Sequence, residues 1–255
     1  MKIFVCVKHV PDSAATITVI EKNQIDEQVT FLINPYDENA ISAAVKLKNQ
    51  FEGSEIIAIS VGKPKASESI QSALAMGADR AIHVVTTTNV DSILTAKALH
   101  QAIQKDGSPD LILMGKESID NEGMQTMFRL AANFNFPIAS NVFSLELKNR
   151  CIFVESELEA GKIEKIEIDL PCVLAVSKGL NKPQYPTLPQ IIQAKKKKIE
   201  SVNIDSLVPK ILKSQMTIIE LSPISEHRKC IELEGDIEQK VEQLFTILKN
   251  EAKVI

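Results

Sequence analysis

Cysteine is scarce in this sequence, and its spacing excludes two kinds of site. The 255 residues include four cysteines, Cys6, Cys151, Cys172 and Cys230, which are widely scattered. No CxxC pair or neighbouring histidine cluster gives the spacing of metal ligands. Cys6 and Cys172 lie in apolar runs, where reduced cysteine behaves as a small buried hydrophobic residue. We therefore expect no metal site, no disulfide framework and a reducing, cytosol-like compartment.

Long apolar runs and an excess of positive charge are also missing. No run approaches the roughly 20 residues of a membrane-spanning helix, and the net charge of −4 argues against nucleic-acid binding. The chain begins with strand-like sequence rather than the hydrophobic region of a secretory signal. We expect a soluble protein of the bacterial cytoplasm, or of the mitochondrial matrix if the source is eukaryotic, with no nucleic-acid partner and no direct membrane insertion.

The histidines are few and dispersed. They are His9, His83, His100 and His227. No GxSxG motif and no Cys/His arrangement provides the nucleophile with a base, which covalent catalysis requires. We therefore expect no catalytic residues in this chain.

Short apolar segments alternate with longer segments of helical periodicity. The apolar segments are Ile3 to Val7, Ile56 to Val61, Ala81 to Val85 and Leu111 to Met114. Parallel strands need crossover connections, and strands that are apolar on both faces must be covered on both. The sequence therefore predicts an α/β fold, with an open, mostly parallel sheet and helices on both faces in a three-layer, Rossmann-like arrangement.

Helix signals and one excursion follow the first predicted strand. Asn34 is placed to cap the first long helix, with Pro35 in its first turn, and a second helix is predicted at about 65–75. Before the first helix, residues 16–20 and 28–31 flank a polar turn. We expect these two segments to pair as a hairpin.

The second half of the chain predicts a β-rich insertion and an arm. Residues 141–170 alternate between apolar and charged side chains, and residues 172–177 form a buried strand. Apolar residues at helical spacing over 236–249 predict an amphipathic helix, which can close the chain's own core or pack on a partner. We expect an α/β domain at 1–199 and a C-terminal arm at 200–255.

The segment from Gly115 to Thr126 follows the fourth predicted strand and opens a helix. In an open α/β sheet, ligands collect beyond the carboxyl ends of the strands, and free amides at a helix N-terminus favour phosphate. Gly115 and Gly123 allow a close backbone approach, and Thr126 offers a hydroxyl donor. The segment is neither a GxGxxG fingerprint nor a Walker loop. Spacing alone therefore leaves two alternatives, an anion site and a plain strand-to-helix turn.

Residues 179–198 form a proline-rich segment that ends in four lysines. The prolines are Pro183, Pro186 and Pro189. Their spacing favours an extended, polyproline-like path that carries Leu188, and such a stiffened segment can dock on a partner or merely link two elements. The lysines at 195–198 are expected to be a solvated helix end.

Three segments resemble the electron transfer flavoprotein beta subunit. In the proline-rich segment the matching residues are Leu180, Asn181, Pro183, Tyr185, Thr187, Leu188, Pro189 and Ala194 to Lys197, whereas Gly179, Lys182 and Gln184 depart from the family pattern. In the glycine-containing loop the matches are Gly115, Lys116, Ile119, Asp120, Gln125 and Thr126, with departures at Met124, Met127, Phe128 and Arg129. Ala73 to Arg80 also matches closely. The resemblance implies an adenine-nucleotide-binding fold.

The resemblance also implies a structural AMP. The implied AMP-binding residues are Cys6, Asn34, Pro35, Tyr36, Asp37, Val61, Ser118, Ile119, Asp120, Asn121, Glu122, Gly123, Met124, Gln125, Thr126, Met127, Phe128 and Arg129. FAD is expected to be held mainly by an alpha subunit, with Tyr36 near the flavin and Ser13 at a position where the family often has tyrosine. Tyr36 can equally be a core or helix-cap aromatic.

Partners and function follow from the same resemblance. It implies an electron carrier that contacts acyl-CoA or related dehydrogenases of fatty acid beta-oxidation through Tyr185 and Leu188, and that passes electrons to a membrane electron transfer flavoprotein-quinone oxidoreductase. The C-terminal arm is expected on the alpha subunit. The alternatives are an adenine-nucleotide hydrolase or adenylate-forming enzyme on a similar sheet, and a bifurcating flavoprotein subunit with a second FAD. Residues 121–128 do not match the bifurcating pattern.

Overall fold

Strands and helices alternate along most of the chain in the computed structural model, which describes residues 1–209, 212–223 and 230–254. His227 lies outside the described residues, as do short parts of the predicted arm. The strands are β1 (Lys2–Cys6), β2 (His9–Pro11), β3 (Val19–Ile20), β4 (Gln24–Ile25), β5 (Phe31–Ile33), β6 (Glu55–Gly62), β7 (Arg80–Val85), β8 (Leu111–Gly115), β9 (Ile138–Lys148), β10 (Cys151–Glu157), β11 (Ile163–Asp169), β12 (Cys172–Val176) and β13 (Ile199–Asn203). The helices are α1 (Pro35–Gln50), α2 (Ser67–Met76), α3 (Ser92–Asp106), α4 (Thr126–Phe134), α5 (Leu188–Ala194) and α6 (Ile237–Thr246).

Nine of these strands form one sheet in the order β11-β10-β9-β12-β8-β1-β6-β7-β13. In this order, every neighbouring pair from β9 through β12, β8, β1, β6 and β7 to β13 is parallel. Only β10 runs antiparallel to its neighbours, β9 and β11. The predicted α/β fold with a mostly parallel sheet is therefore confirmed. The β-rich insertion is the antiparallel edge, and the predicted strand at 172–177 is β12, in the interior of the sheet.

Helices cover both faces of the sheet because its central strands are apolar in both directions. Ile3 and Val5 of β1 pack with α1 and α2 in one buried cluster. Phe4 and Cys6, which alternate with them, pack with α3 and α4 in the other. Each strand residue thus points into one of two cores, which is the three-layer arrangement that the sequence predicts.

The excursion between β1 and α1 is present, but its predicted pairing is wrong. Val19 pairs with Ile25 in the short hairpin β3–β4, whereas Phe31 pairs with Pro11 in the separate pair β2–β5. The His9 ring stacks on Phe31 with 4.8 Å between centroids, so this second pair also packs through its side chains. The chain thus forms two nested pairs rather than one hairpin between 16–20 and 28–31.

One lysine of the run at 195–198 is used internally. Lys197 Nζ donates to the carbonyl oxygens of Leu74 (2.9 Å) and Ala78 (2.6 Å) at the C-terminal end of α2, where Gly77 has φ +129°. The expectation that all four lysines form a solvated helix end is therefore wrong for Lys197. The positive charge satisfies carbonyl groups that a helix terminus leaves unpaired.

The C-terminal arm is anchored at residues 215 and 216 and ends in an uncovered helix. Asp91 Oδ2 accepts hydrogen bonds from the backbone N–H groups of Gln215 (2.5 Å) and Met216 (3.3 Å), while Oδ1 caps α3 through the N–H of Leu94. Farther along, the N–H of Leu221 donates to the Lys22 carbonyl oxygen in the excursion. Among the described residues, no helix is both long enough and apolar enough to cross a bilayer.

Helix α6 begins with a capping box between Asp236 and Gln239. None of its residues is buried, and its apolar residues face solvent: Ile237, Val241, Leu244 and Phe245. The alternative that this helix closes the chain's own core is therefore wrong.

Candidate functional site

The glycine-containing loop from Gly115 to Thr126 lies at the carboxyl edge of the sheet. After β1, the chain adds β6 and β7 on one side and then returns to place β8 on the other side of β1. Cys6, Val61 and Gly115 end or nearly end β1, β6 and β8, so these positions lie along one edge. Such a reversal of strand order opens a crevice in which α/β proteins bind ligands.

Asn34 joins the start of α1 to this loop. Its Nδ2 donates to the Glu117 carbonyl oxygen at 2.8 Å, and its Oδ1 accepts from the N–H of Ile119 at 3.3 Å. The side chain is buried and makes no cap hydrogen bond to α1. Asn34 therefore occupies the predicted cap position, but the expectation that it caps the helix is wrong because its amide is used by the loop.

The buried Asp37 side chain holds the start of α1 against the ends of β1 and β8. Its Oδ2 accepts from the N–H of Lys8 at 2.8 Å and its Oδ1 from the N–H of Gly115 at 2.9 Å. Burial raises the pKa of this carboxyl to about 7, against the opposing effect of the two N–H groups. A Cβ on Gly115 would lie 2.5 Å from both Asp37 Oδ1 and Tyr36 Cβ, so only glycine fits there. Asp37 thus locks β1, β8 and α1 together.

Lys8 closes the front of the loop, a role that the sequence analysis missed. Its Nζ lies 2.7 Å from both oxygens of Asp120 and 3.0 Å from Ser118 Oγ. Ser118 Oγ also donates to Asn121 Oδ1 at 2.9 Å. The position of Lys8 just beyond the carboxyl end of a predicted central strand was the signal available in the sequence.

The N-terminus of α4 faces the crevice with its amides open. No side chain caps this helix, whose cap residue is Gln125. Glu122 and Met124 both have φ +47°, which turns the chain sharply before the helix. Arg129 lies one turn inside, with Nε 3.1 Å from Ser92 Oγ at the start of α3 and Nη2 3.4 Å from Gln125 Oε1. Free amides, a helix dipole and a guanidinium together suit a phosphate.

The remaining predicted nucleotide residues fall into three groups by burial. Cys6 and Met127 are buried in the core, and burial raises the pKa of the Cys6 thiol, so it stays protonated and apolar. Val61 and Pro35 are half-buried, whereas Gly123 and Phe128 are exposed. The structure therefore brings the predicted residues to one edge of the sheet, where some are buried in the core, some are half-buried and some are exposed.

Tyr36 lies in an open cleft of about 500 Å³ on the other side of this corner. Lys178 Nζ lies 4.9 Å and Lys116 Nζ 5.7 Å from the centroid of its ring. A hydrogen bond to the Glu117 carboxylate, with burial, raises the pKa of the Tyr36 hydroxyl to about 12. The two ammonium groups can attract an anionic ligand, and the ring can stack on a planar one. Ser13 lies on the exposed loop after β2 and does not line this cleft.

The proline-rich segment is anchored at its base and exposed at its tip. Asn39 Nδ2 donates to the Asn181 carbonyl oxygen at 2.8 Å, and Asn181 Nδ2 donates to that of Asn39 at 2.9 Å. Beyond this clamp, Tyr185 is 77 % exposed and Leu188 is 70 % exposed.

The predicted extended path holds only as far as Thr187. Thr187 and Gln190 form a capping box that begins α5 at Leu188. Pro189 therefore lies in the first turn of a helix, which a proline tolerates because that turn needs no N–H donor. Leu188 is carried by the helix start rather than by a polyproline strand, so the prediction of an extended path through Pro189 is wrong.

In the part of the chain that the structure describes, no group of three or more histidine, cysteine, aspartate or glutamate side chains is arranged to hold an ion.

A family model and several known proteins that resemble this chain all point to the same family. Residues 22–207 match the family model of the electron transfer flavoprotein domain. A Bacillus subtilis protein named electron transfer flavoprotein subunit beta is 35% identical over 263 residues, with both chains covered in full. A rice protein, named as the mitochondrial beta subunit, is 34% identical over 260 residues with the same full coverage. The human beta subunit is 35% identical over 208 residues, which cover 79% of this chain and 81% of the human one.

Proposed function

Because the chain belongs to the electron transfer flavoprotein family and matches its beta subunits over its full length, we propose that it is the beta subunit of a heterodimeric electron carrier. It receives electrons from acyl-CoA or related dehydrogenases through a flavin that it shares with an alpha subunit. It passes them to a membrane quinone oxidoreductase specific for such carriers. The proposed compartment is the bacterial cytoplasm or the mitochondrial matrix, which fits the unpaired cysteines.

The carboxyl-edge crevice is the proposed site of a structural AMP. The open amides of α4 and the guanidinium of Arg129 suit the phosphate, which is the fit that supports this assignment. Asn34, Asp37 and Lys8 hold the loop closed around it through bonds that the protein makes by itself. AMP would supply no chemistry here, since its role is to stiffen the edge that faces the partner subunit.

The Tyr36 cleft is the proposed side wall of the FAD site. FAD would supply the redox chemistry, and an alpha subunit would hold most of it. In this chain Tyr36 offers a ring, while Lys116 and Lys178 offer positive charge that stabilises an anionic group beside it. The walls of the cleft exclude part of the solvent. This chain therefore orients the cofactor and tunes its electrostatics without a catalytic residue of its own.

The exposed Tyr185 and Leu188 carry the proposal of a dehydrogenase partner. A side chain of this kind is normally buried, and Leu188 is presented by a capped helix above the Asn39–Asn181 clamp. Burying one leucine in a partner's pocket is worth roughly 1.5–3 kcal/mol, and the fixed backbone lowers the entropy lost on binding. Such a contact suits brief, repeated encounters.

The exposed face of α6 is the proposed contact with the alpha subunit. Ile237, Val241 and Leu244 form an apolar stripe along one side of the helix. A stripe of this spacing is buried in stable assemblies.

The test is a Leu188→Ala heterodimer, co-expressed with its alpha subunit and compared with Ile17→Ala, an exposed isoleucine of the excursion. We expect Leu188→Ala to lower kcat/KM for reduction by an acyl-CoA dehydrogenase by about tenfold, equivalent to ~1.4 kcal/mol, with flavin content unchanged. The Ile17→Ala control should match wild type. Equal kinetics for all three proteins would remove the anchor role.

Cofactor counting tests the rest of the proposal. We expect one flavin and one AMP per heterodimer in the extracted nucleotide pool. Two flavins, or ATP turnover by the purified protein, would contradict the AMP assignment.

A further inference from the structure

A groove of about 420 Å³ lies at the base of the exposed segment, and the proposed AMP and flavin sites make no use of it. It runs between β5, α2 and the segment that carries Tyr185. Its walls are largely apolar, with Phe31 on one side, Met76 at the end of α2, and Tyr185, Pro186 and Ile191 above. The groove therefore opens on the same surface as Leu188.

Two carboxylates give this apolar groove a negative charge. Glu38, in the first turns of α1, is half-buried, and Glu68, in the first turn of α2, is exposed. Within the described chain, no lysine, arginine or histidine lines the groove. His9 lies behind the lining residues Ser69 and Phe31, where burial lowers the pKa of its imidazole. Burial raises the pKa of Glu38, and no neighbouring cation acts against that effect. A negative group partly removed from water and lacking a cation favours binding of a positive one.

The surrounding segment has the opposite charge. No aspartate or glutamate occurs between Asp169 and Glu200, whereas Lys182, Lys195 and Lys196 are exposed there. These lysines alone would favour any partner with an acidic surface. The two carboxylates of the groove place a negative charge next to the positive lysines, and such a pattern fixes the orientation of a partner as well as its affinity.

The aromatic side chains of the groove limit the kinds of chemical group that can bind there. Tyr185 can offer a ring face to a cation, as can the face of Phe31 that His9 leaves open, and carboxylates pair with a guanidinium in a fixed geometry. Gln71 also lines the groove, and its Nε2 is buried without a hydrogen-bond acceptor among the described residues. A docked segment of protein can supply the missing carbonyl oxygen together with the cation.

We propose that this groove binds an arginine or lysine side chain of the dehydrogenase that docks on Leu188, between the carboxylates of Glu38 and Glu68 and against Phe31 and Tyr185. The proposal rests on the proposed function. Tyr185 and Leu188 are three residues apart, a separation that an extended chain spans in about 10 Å. The partner's cation therefore lies within about that distance, plus a side-chain length, of the pocket that takes Leu188.

The experiment uses the flavin-loaded heterodimer and the acyl-CoA dehydrogenase that reduces the wild-type protein. In Glu38→Gln/Glu68→Gln both charges are removed with little change of shape. The matched control is Glu21→Gln/Glu52→Gln, which removes two exposed carboxylates elsewhere. We expect the groove variant to raise the KM for the heterodimer about tenfold and to weaken its dependence on salt, with kcat, flavin content and Tm unchanged. The control should keep the wild-type KM.

Each other outcome overturns a different statement. If Leu188→Ala slows reduction while Glu38→Gln/Glu68→Gln leaves KM unchanged, the groove proposal fails and the proposed function stands. If neither variant has an effect, the docking function of the whole segment fails. If the groove variant instead loses flavin or dissociates, the alpha subunit occupies the groove, and the dehydrogenase does not.

Discussion

Arg80 connects three elements at the amino end of the sheet. Its Nε lies 2.8 Å from Glu55 at the start of β6, and its two terminal nitrogens each lie 2.8 Å from an oxygen of Asp106 at the end of α3. Lys2 of β1 also reaches Asp106, at 2.8 Å. The hydrogen bond from Arg80 is the main reason that the pKa of Asp106 is lowered. A planar fork with two partners is a geometry that lysine cannot reproduce.

Removing the Arg80 guanidinium should destabilise the folded chain more than removing one partner of an exposed ion pair. We expect Arg80→Met to lower the free energy of unfolding at pH 7 by about 1–3 kcal/mol, since Glu55 loses its cation and Asp106 keeps only Lys2 in place of the bidentate guanidinium. The control is Lys165→Met, whose amine pairs with Glu155 on an exposed face and should cost less than about 0.5 kcal/mol. Urea unfolding followed by circular dichroism measures both. Equal losses would show that the fork adds nothing beyond a surface pair.

The same network sets a pH dependence. Asp106 has a lowered pKa in the folded chain, so its stabilising contribution is fully present above the unfolded value of about 3.9 and is lost as the pH falls through the folded value. The difference between wild type and Arg80→Met should therefore shrink when unfolding is measured at pH 3 instead of pH 7. A difference that stays constant would exclude Asp106 as the linked group.

Residue roles at the site were only partly predictable from the sequence. The carboxyl-edge position of Cys6, Tyr36 and Val61 follows from counting strands and helix starts. The bonds of Asn34 do not, because its partners lie 83 and 85 residues away. A helix start with asparagine looks the same whether the amide turns to its own helix or to a distant loop.

At the scale of elements, apolar runs predicted the central strands well. Strands β1, β6, β7 and β8 agree with the predicted segments to within one residue at each end, because a doubly covered strand shows in sequence as a continuous apolar run. The sequence did not predict the nested pairs β2–β5 and β3–β4, because one hairpin and two nested pairs fit the same alternation of apolar and polar residues. Their register depends on contacts such as His9 on Phe31 that local sequence does not encode.

Lys197 links α5 to α2 and gives an element-scale prediction. Its Nζ holds two carbonyl oxygens at the end of α2, whereas the neighbouring Lys196 is exposed. We expect Lys197→Met to lower the free energy of unfolding by about 1–3 kcal/mol, because carbonyls at that terminus lose a charged donor. Lys196→Met, which has the same charge change, should stay within about 0.5 kcal/mol of wild type. Matching losses for the two variants would contradict the internal role of Lys197.

At the scale of the whole molecule, α6 does not contact the body of the chain with a buried face. The sequence predicted this helix from its periodicity, and the structure shows that its apolar side chains face solvent, with Ile237 81 % exposed. An isolated helix of this length is marginal in water. A second surface is therefore needed to stabilise it.

This arrangement predicts protection that depends on the partner. In hydrogen exchange, amides of residues 238–248 should exchange rapidly in the isolated chain and at least tenfold more slowly in the heterodimer, because fraying is suppressed when the apolar stripe is buried. Amides of β1 and β8 serve as the internal control and should be slow in both samples. Unchanged exchange across 238–248 would show that the alpha subunit does not cover α6.

Asp91 determines what kind of attachment the arm provides. One carboxylate caps α3 and also accepts hydrogen bonds from the backbone at residues 215 and 216, and the N–H of Leu221 adds a bond to Lys22. If α6 packs on the alpha subunit as proposed, two covalently linked contacts would join the subunits, and the second would form as an intramolecular step. Bivalent binding of this kind can raise the overall affinity by about 10²–10⁴ over that of either contact alone.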